Sequence, residues 1–130
     1  MEDARLSENK NIARQFFLAF EKGDVAAAID LFSPDALYWI PTVRKEFAMV
    51  EFAEALHWIQ SRLKDGIRFE LGAIVAEQNK VCIMAEGFAT TTEGKPFNNL
   101  YHIFFEIENG KIVYAREYND TAHVLSTLRA

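Results

Sequence analysis

Proton-transfer chemistry needs a side chain that can hold and release a proton near neutrality, and this chain offers few. Its histidines, His57, His102 and His123, are widely separated and lack HExxH spacing. No metal site is therefore expected. Asp120 follows the last strand-like segment and is the leading candidate acid or base. The same residue stands before Thr121-Ala122-His123, where a carboxylate also serves as a helix N-cap. His57 flanks the apolar stripe of a helix-like segment beside Trp58, and a neutral imidazole suits proton transfer. His102 and Glu86, both in strand-like segments, complete the candidate catalytic set. His102 and Glu106 share one strand face, but four residues place them about 13 Å apart, too far to exchange a proton.

Rings and a guanidinium supply candidate ligand contacts. Tyr38, Trp39, Trp58, Tyr101 and Tyr118 could line a pocket. Ile112, Tyr114, Arg116 and Tyr118 share one strand parity, an aromatic-plus-Arg strip that fits either a pocket wall or a subunit seam. Val113, Ala115, Glu117 and Asn119 share the other. No glycine-rich phosphate cradle is present, and no cofactor is expected.

The whole chain bounds these choices. It has 130 residues, the size of one domain, and no linker or repeat divides residues 1–130. Half of its residues are apolar and 13% are aromatic, so the rings must fill a thick core, a lined cavity or an interface. The net charge is −5 and no basic stripe is present, which argues against nucleic acid as a partner. One cysteine, Cys82, excludes an intrachain disulfide. No apolar run approaches the length of a membrane helix, and the first eleven residues are polar, so a cytoplasmic location without a membrane partner is expected.

The elements that must position these groups are legible in the pattern. Ile12, Phe16 and Phe20 recur every four residues and predict a first helix, with Ser7 as N-cap and Gly23 as terminator. Asp24 caps a short second helix to about Phe32; Ser33-Pro34-Asp35 predicts a turn, and Ala36–Ile40 a short strand. Thr42–Glu46 reads as loop. Phe52, Leu56, Ile59 and Leu63 mark the buried face of a third helix from about Phe47 to Lys64. Strands follow at about 67–76, 81–91, 98–107 and 111–119, with Asn109-Gly110 as a hairpin turn. Helices first and antiparallel strands after give an α+β class. Several strands are apolar at both parities, which predicts a sheet covered twice, by helices and by a curled edge or a second subunit.

Two blocks of sequence carry a family resemblance. Phe16-Phe17-Leu18-Ala19-Phe20-Glu21-Lys22-Gly23-Asp24 and Leu31-Phe32-Ser33-Pro34-Asp35-Ala36 form the first. Gly94-Lys95-Pro96-Phe97-Asn98-Asn99, Tyr101-His102, Phe105-Glu106-Ile107, Gly110-Lys111-Ile112 and Arg116-Glu117-Tyr118-Asn119-Asp120 form the second. The chain resembles the SnoaL-like family of the nuclear-transport-factor-2-like (NTF2-like) superfamily, which includes ketosteroid isomerases and limonene epoxide hydrolases. The resemblance implies a cone of three N-terminal helices packed on a strongly curved mixed or antiparallel sheet, an apolar pocket, and a homodimer formed through the sheet face. It also implies that the isomerase mechanism is missing. Phe16 stands where those isomerases carry a first-helix tyrosine, and Ile40 before Pro41 where they carry the general-base aspartate. Phe16 is thus at most a pocket-lining residue. The epoxide hydrolase relay of two aspartates and an arginine departs too, since Cys82–Phe88 holds no Arg-x-Asp pair; Glu86, Arg116 and Asp120 make an incomplete set.

The resulting expectation is a cofactor-independent enzyme of isomerase, cyclase or hydrolase type acting on a small apolar or cyclic metabolite in an enclosed pocket. A non-catalytic binding protein and a structural dimeric accessory protein remain as alternatives.

Overall fold

The computed structural model describes residues 2–129. Helix α1 runs from Glu2 to Glu21 and places Ala13, Phe16, Phe17 and Phe20 in the core. It begins five residues before Ser7, so that serine lies within the helix rather than at its cap. Gly23, at φ 75°, turns the chain out of α1. The Asp24 carboxylate then accepts from the Ala27 N–H at 3.0 Å and opens α2, Val25–Asp30. Strand β1, Phe32–Ile40, takes in the Ser33-Pro34-Asp35 segment expected to be a turn, with a break in register between Phe32 and Leu37. Strand β2, Lys45–Ala48, folds back on β1 where a loop and a helix start were expected.

Helix α3, Met49–Arg62, buries Met49, Phe52 and Leu56. The strands β3 (Leu63–Glu77), β4 (Lys80–Thr91), β5 (Pro96–Glu108) and β6 (Lys111–Asn119) follow as an antiparallel meander. The β5–β6 hairpin closes at Asn109-Gly110, both at positive φ, as that dipeptide favours. Helix α4, Thr121–Thr127, ends the fold.

The chain is α+β, but the expected three-helix cone is not what forms. A fourth helix lies at the C-terminal end, and the six strands make an open mixed sheet of order β2-β1-β6-β5-β4-β3. Among the described residues only the β1–β6 pair is parallel, and β2 and β3 are the two free edges, so the sheet is neither closed nor strongly curled. The apolar residues on the second face suggested wrapping. Leu37, Val75, Met84, Leu100 and Tyr118 instead stay exposed there. Among the described residues no helix is long and apolar enough to cross a membrane.

One face of the sheet carries the core. Val81, Ile83 and Ala85 of β4, Ile103, Phe105 and Ile107 of β5, and Ala115 of β6 pack under α1 and α3. Phe16 sits at the centre, edge-on to Phe17, Phe32 and Phe105 and stacked on Phe52. At the free edge of β3, the Phe69 N–H donates to Glu21 at the end of α1, at 2.7 Å, which satisfies an unpaired edge group.

Candidate functional site

A cavity of about 530 Å³ opens between α3, the β1–β2 hairpin, the ends of β5 and β6, and the C-terminal segment. Its walls are largely apolar: Ile40, Phe47, Leu56, Ile59, Phe97 and Val124. Its polar floor comes from the sheet, where Asn99 and Tyr101 of β5 lie with Glu117 and Asn119 of β6. In the β5–β6 register, Tyr101 stands opposite Asn119 and Ile103 opposite Glu117. All four floor residues therefore point to the helical side.

Glu117 is the chemical centre of this floor. The Tyr38 hydroxyl donates to Glu117 Oε1 at 2.6 Å, and Asn119 Nδ2 donates to Oε2 at 2.6 Å. Tyr38 is fully buried and stacks on Phe52 at 3.9 Å between ring centroids, so its hydroxyl is held rather than free to rotate away. Burial raises the Glu117 pKa above the ordinary 4.5, and the two donated hydrogen bonds oppose that rise by favouring the carboxylate. Each carboxylate oxygen keeps a second lone pair for a ligand proton. The Tyr101 hydroxyl is pushed above its usual 10.0 by burial and then by Glu117, so it remains a neutral donor. Gly87 makes room for that ring. A Cβ there would lie 2.8 Å from Ile67 Cδ1 and 3.0 Å from Tyr101 Cε2.

The candidates from sequence are dispersed. Trp58 and Tyr101 line the cavity, Trp58 as a half-exposed lip under the guanidinium groups of Arg62 and Arg129. Phe16 and Tyr38 lie beneath it in the core. His57 is exposed on α3 outside the lining. Trp39, Arg116 and Tyr118 are on the opposite face of the sheet, with the Arg116 guanidinium 3.8 Å over the Trp39 ring. Glu86, His102 and Asp120 line a shallow depression on that same face, with Met84, Leu100 and Tyr118. Asp120 accepts from the His123 N–H at 3.2 Å as the N-cap of α4, and Glu86 accepts from Asn98 Nδ2 at 2.9 Å. His102 is exposed there.

The two concavities differ in chemistry. The depression is the larger, at about 700 Å³, but it is open and none of its carboxylates is held by a buried donor. The cavity under α3 sets a desolvated carboxylate and buried amides against apolar walls, the arrangement that raises the strength of polar contacts to a ligand. Among the described residues no group of His, Cys, Asp or Glu could hold a metal ion.

The strip of Ile112, Tyr114, Arg116 and Tyr118 fitted either a pocket wall or a subunit seam, and the structure puts Arg116 and Tyr118 on the face opposite buried Ile112. A bulge intervenes. Ile107 pairs with Ile112 and Glu106 with Tyr114, so Val113 is an extra residue and the parity inverts after it. The signal that could have found Glu117 was Ala115, a small residue two positions before it that belongs in a close-packed core.

The fold agrees with what comparison shows. The SnoaL-like domain family matches residues 13–115, most of the chain. The protein belongs to the SnoaL-like family. No curated protein matches it significantly. Solved structures superpose closely on this SnoaL-like chain. IdmH from Streptomyces antibioticus, a proposed polyketide cyclase, has a TM-score of 0.80 at 18% identity, covering 94% of this chain and 99% of IdmH. An LEH-like epoxide hydrolase of M. tuberculosis has a TM-score of 0.75 at 17% identity, over 95% and 91% of the two chains. A protein with a ketosteroid isomerase-like fold from Catenulispora acidiphila, solved with trimethylamine, has a TM-score of 0.79 at 13% identity, over 91% and 92%. The shared property is the NTF2-like fold, on which several small-molecule enzymes are built.

Proposed function

We propose that this SnoaL-like protein is a cofactor-independent enzyme that transfers a proton on a small, largely apolar, cyclic metabolite held between α3 and the sheet. The observation that carries the reading is Glu117, a desolvated carboxylate gripped by Tyr38 and Asn119 on the floor of an apolar cavity. Burial raises its pKa above the ordinary 4.5 against the pull of the two donated hydrogen bonds, the direction that makes a carboxylate a better proton acceptor. The Tyr101 hydroxyl is placed to donate to a carbonyl oxygen as charge builds on it. Isomerisation, cyclisation and water addition all use these two functions. The cyclase and hydrolase among its fold relatives support this class of chemistry. Phe16 and Ile40, at the positions where the isomerases carry their tyrosine and aspartate, hold no proton, so the acid–base role falls to β6.

The exposed apolar strip on the other face supports a homodimer formed through the sheet, burying Leu100, Met84 and the Trp39–Arg116–Tyr118 stack.

The test is a screen of cyclic ketones, polycyclic enols and epoxides, scored for binding and for product. Turnover of a hit that is lost in Glu117→Gln while binding persists is the expected result. Saturable binding with no product in the wild type, for every hit, makes the protein a binder instead.

A further inference from the structure

We propose that Asn99 determines specificity by binding a second, neutral polar group of the ligand, one with a donor and an acceptor side by side as in a carboxamide or lactam. The inference rests on the α3 cavity being the ligand site and goes further by naming a chemical class. Asn99 is 1% exposed and lines the cavity, yet neither its Nδ2 nor its Oδ1 has a hydrogen-bond partner among the described residues. Its neighbour Asn98 is well served, by Glu86, by the Gly87 carbonyl and by His123.

The topology explains why Asn99 stands alone. On one side its partner in β4 is Gly87, which has no side chain. On the other, β6 ends at Asn119 opposite Tyr101, so no strand residue flanks Asn99 there. Helix α4 crosses further along, where His123 stacks on Phe97 at 5.2 Å. The Asn99 amide lies close enough to the Tyr101 hydroxyl to lower its pKa against the effect of burial, without a hydrogen bond of normal geometry.

A buried amide with both ends unpaired destabilises the fold, and an apolar side chain of similar size would fill the position at no such cost. A ligand that reverses the amide's donor and acceptor satisfies both ends. A carboxylate, ester or ether only accepts, and leaves Oδ1 unpaired. Along the cavity floor Tyr101 stands between Asn99 and the level of Glu117. Asn99 lies four residues along β5 from Ile103, the partner of Glu117, or about 13 Å at strand rise. The ligand therefore carries this amide-like group beside, and distinct from, the group that Tyr101 and Glu117 engage.

The experiment compares 1-naphthamide with methyl 1-naphthoate by calorimetric titration, in wild type, Asn99→Leu and Glu117→Gln. The expected result is that wild type prefers the amide by about tenfold or more, the worth of one buried hydrogen-bonded pair. Asn99→Leu loses the preference and melts at the same or a higher temperature. Glu117→Gln keeps the preference, so an error about Glu117's chemistry leaves this inference standing and shows only in turnover. Equal affinity for the two probes in wild type, binding of neither, or a preference that survives in Asn99→Leu overturns it. A lower melting temperature for Asn99→Leu overturns it too, since it would show that Asn99 holds the fold.

Discussion

Glu117 carries a pH signature as well as a proposed role. Its pKa is raised in the folded state, so the fold binds its proton more tightly than the unfolded chain does. Its contribution to stability is then fully present below the ordinary value of 4.5 and is lost as pH rises through the raised value. Glu117→Gln should remove that slope. The variant should fold, because Asn119 Oδ1 has no partner among the described residues, and a flip of that amide offers the oxygen to the new N–H. Urea melts between pH 4 and 8 check this: wild type loses stability across the window relative to the variant, and parallel curves would refute the burial argument. Tyr38→Phe tests the other side of the balance. It deletes a donor to Oε1 and so raises the Glu117 pKa further. With Glu117 as the base, the pKa of the acidic limb of the rate profile should move up and turnover fall by about 10- to 100-fold, for a loss of about 1–3 kcal/mol in a charge-assisted hydrogen bond.

At the scale of elements, two short segments decide whether the helices meet the sheet correctly. Gly23 is at φ 75° between α1 and α2, and a Cβ there would lie 3.5 Å from Gln60 Nε2, an ordinary contact. The cost of Gly23→Val is therefore backbone strain, about 1–2 kcal/mol for a β-branched residue in the left-handed region. Unchanged urea unfolding would contradict it. Asp120→Ala removes the side chain that caps α4 and should cost about 1 kcal/mol. Because Asp120 lines the open face and not the α3 cavity, turnover should change little where Glu117→Gln abolishes it. A catalytic loss in Asp120→Ala as deep as in Glu117→Gln would move the chemistry to the other face of the sheet.

The whole molecule presents one covered and one uncovered sheet face. The uncovered face exposes Leu100 at 58%, Met84 at 50% and Tyr118 at 47%, around the Arg116 guanidinium. A contact that hides this strip in both copies should bury about 1,500 Å² in total, the size of a stable interface. Sedimentation at micromolar concentration should then give twice the chain mass of 14.9 kDa. Leu100→Glu, which places a charge at the centre of the strip, should give the single mass with the fold intact. A wild-type protein that sediments as a single chain would remove the proposed dimer.

Local rules settled much of the fold from the sequence. The stripe of Phe16 and Phe20, the Gly23 terminator, the Asn109-Gly110 hairpin and the apolar alternation of Ile103, Phe105 and Ile107 depend on neighbours within a few residues, where propensity and periodicity act. The family motif along the chain added the NTF2-like class. What sequence could not decide was everything that depended on register between strands. The bulge at Val113 turns Glu117 and Asn119 to the cavity and Arg116 and Tyr118 away from it. The end of β6 at Asn119 leaves the Asn99 amide without a hydrogen-bond partner among the described residues. Whether the second apolar face is wrapped or open depended on which strands pair at the edges. A strand's period is two, so one extra residue exchanges its faces, and only the partner strand records where that residue falls.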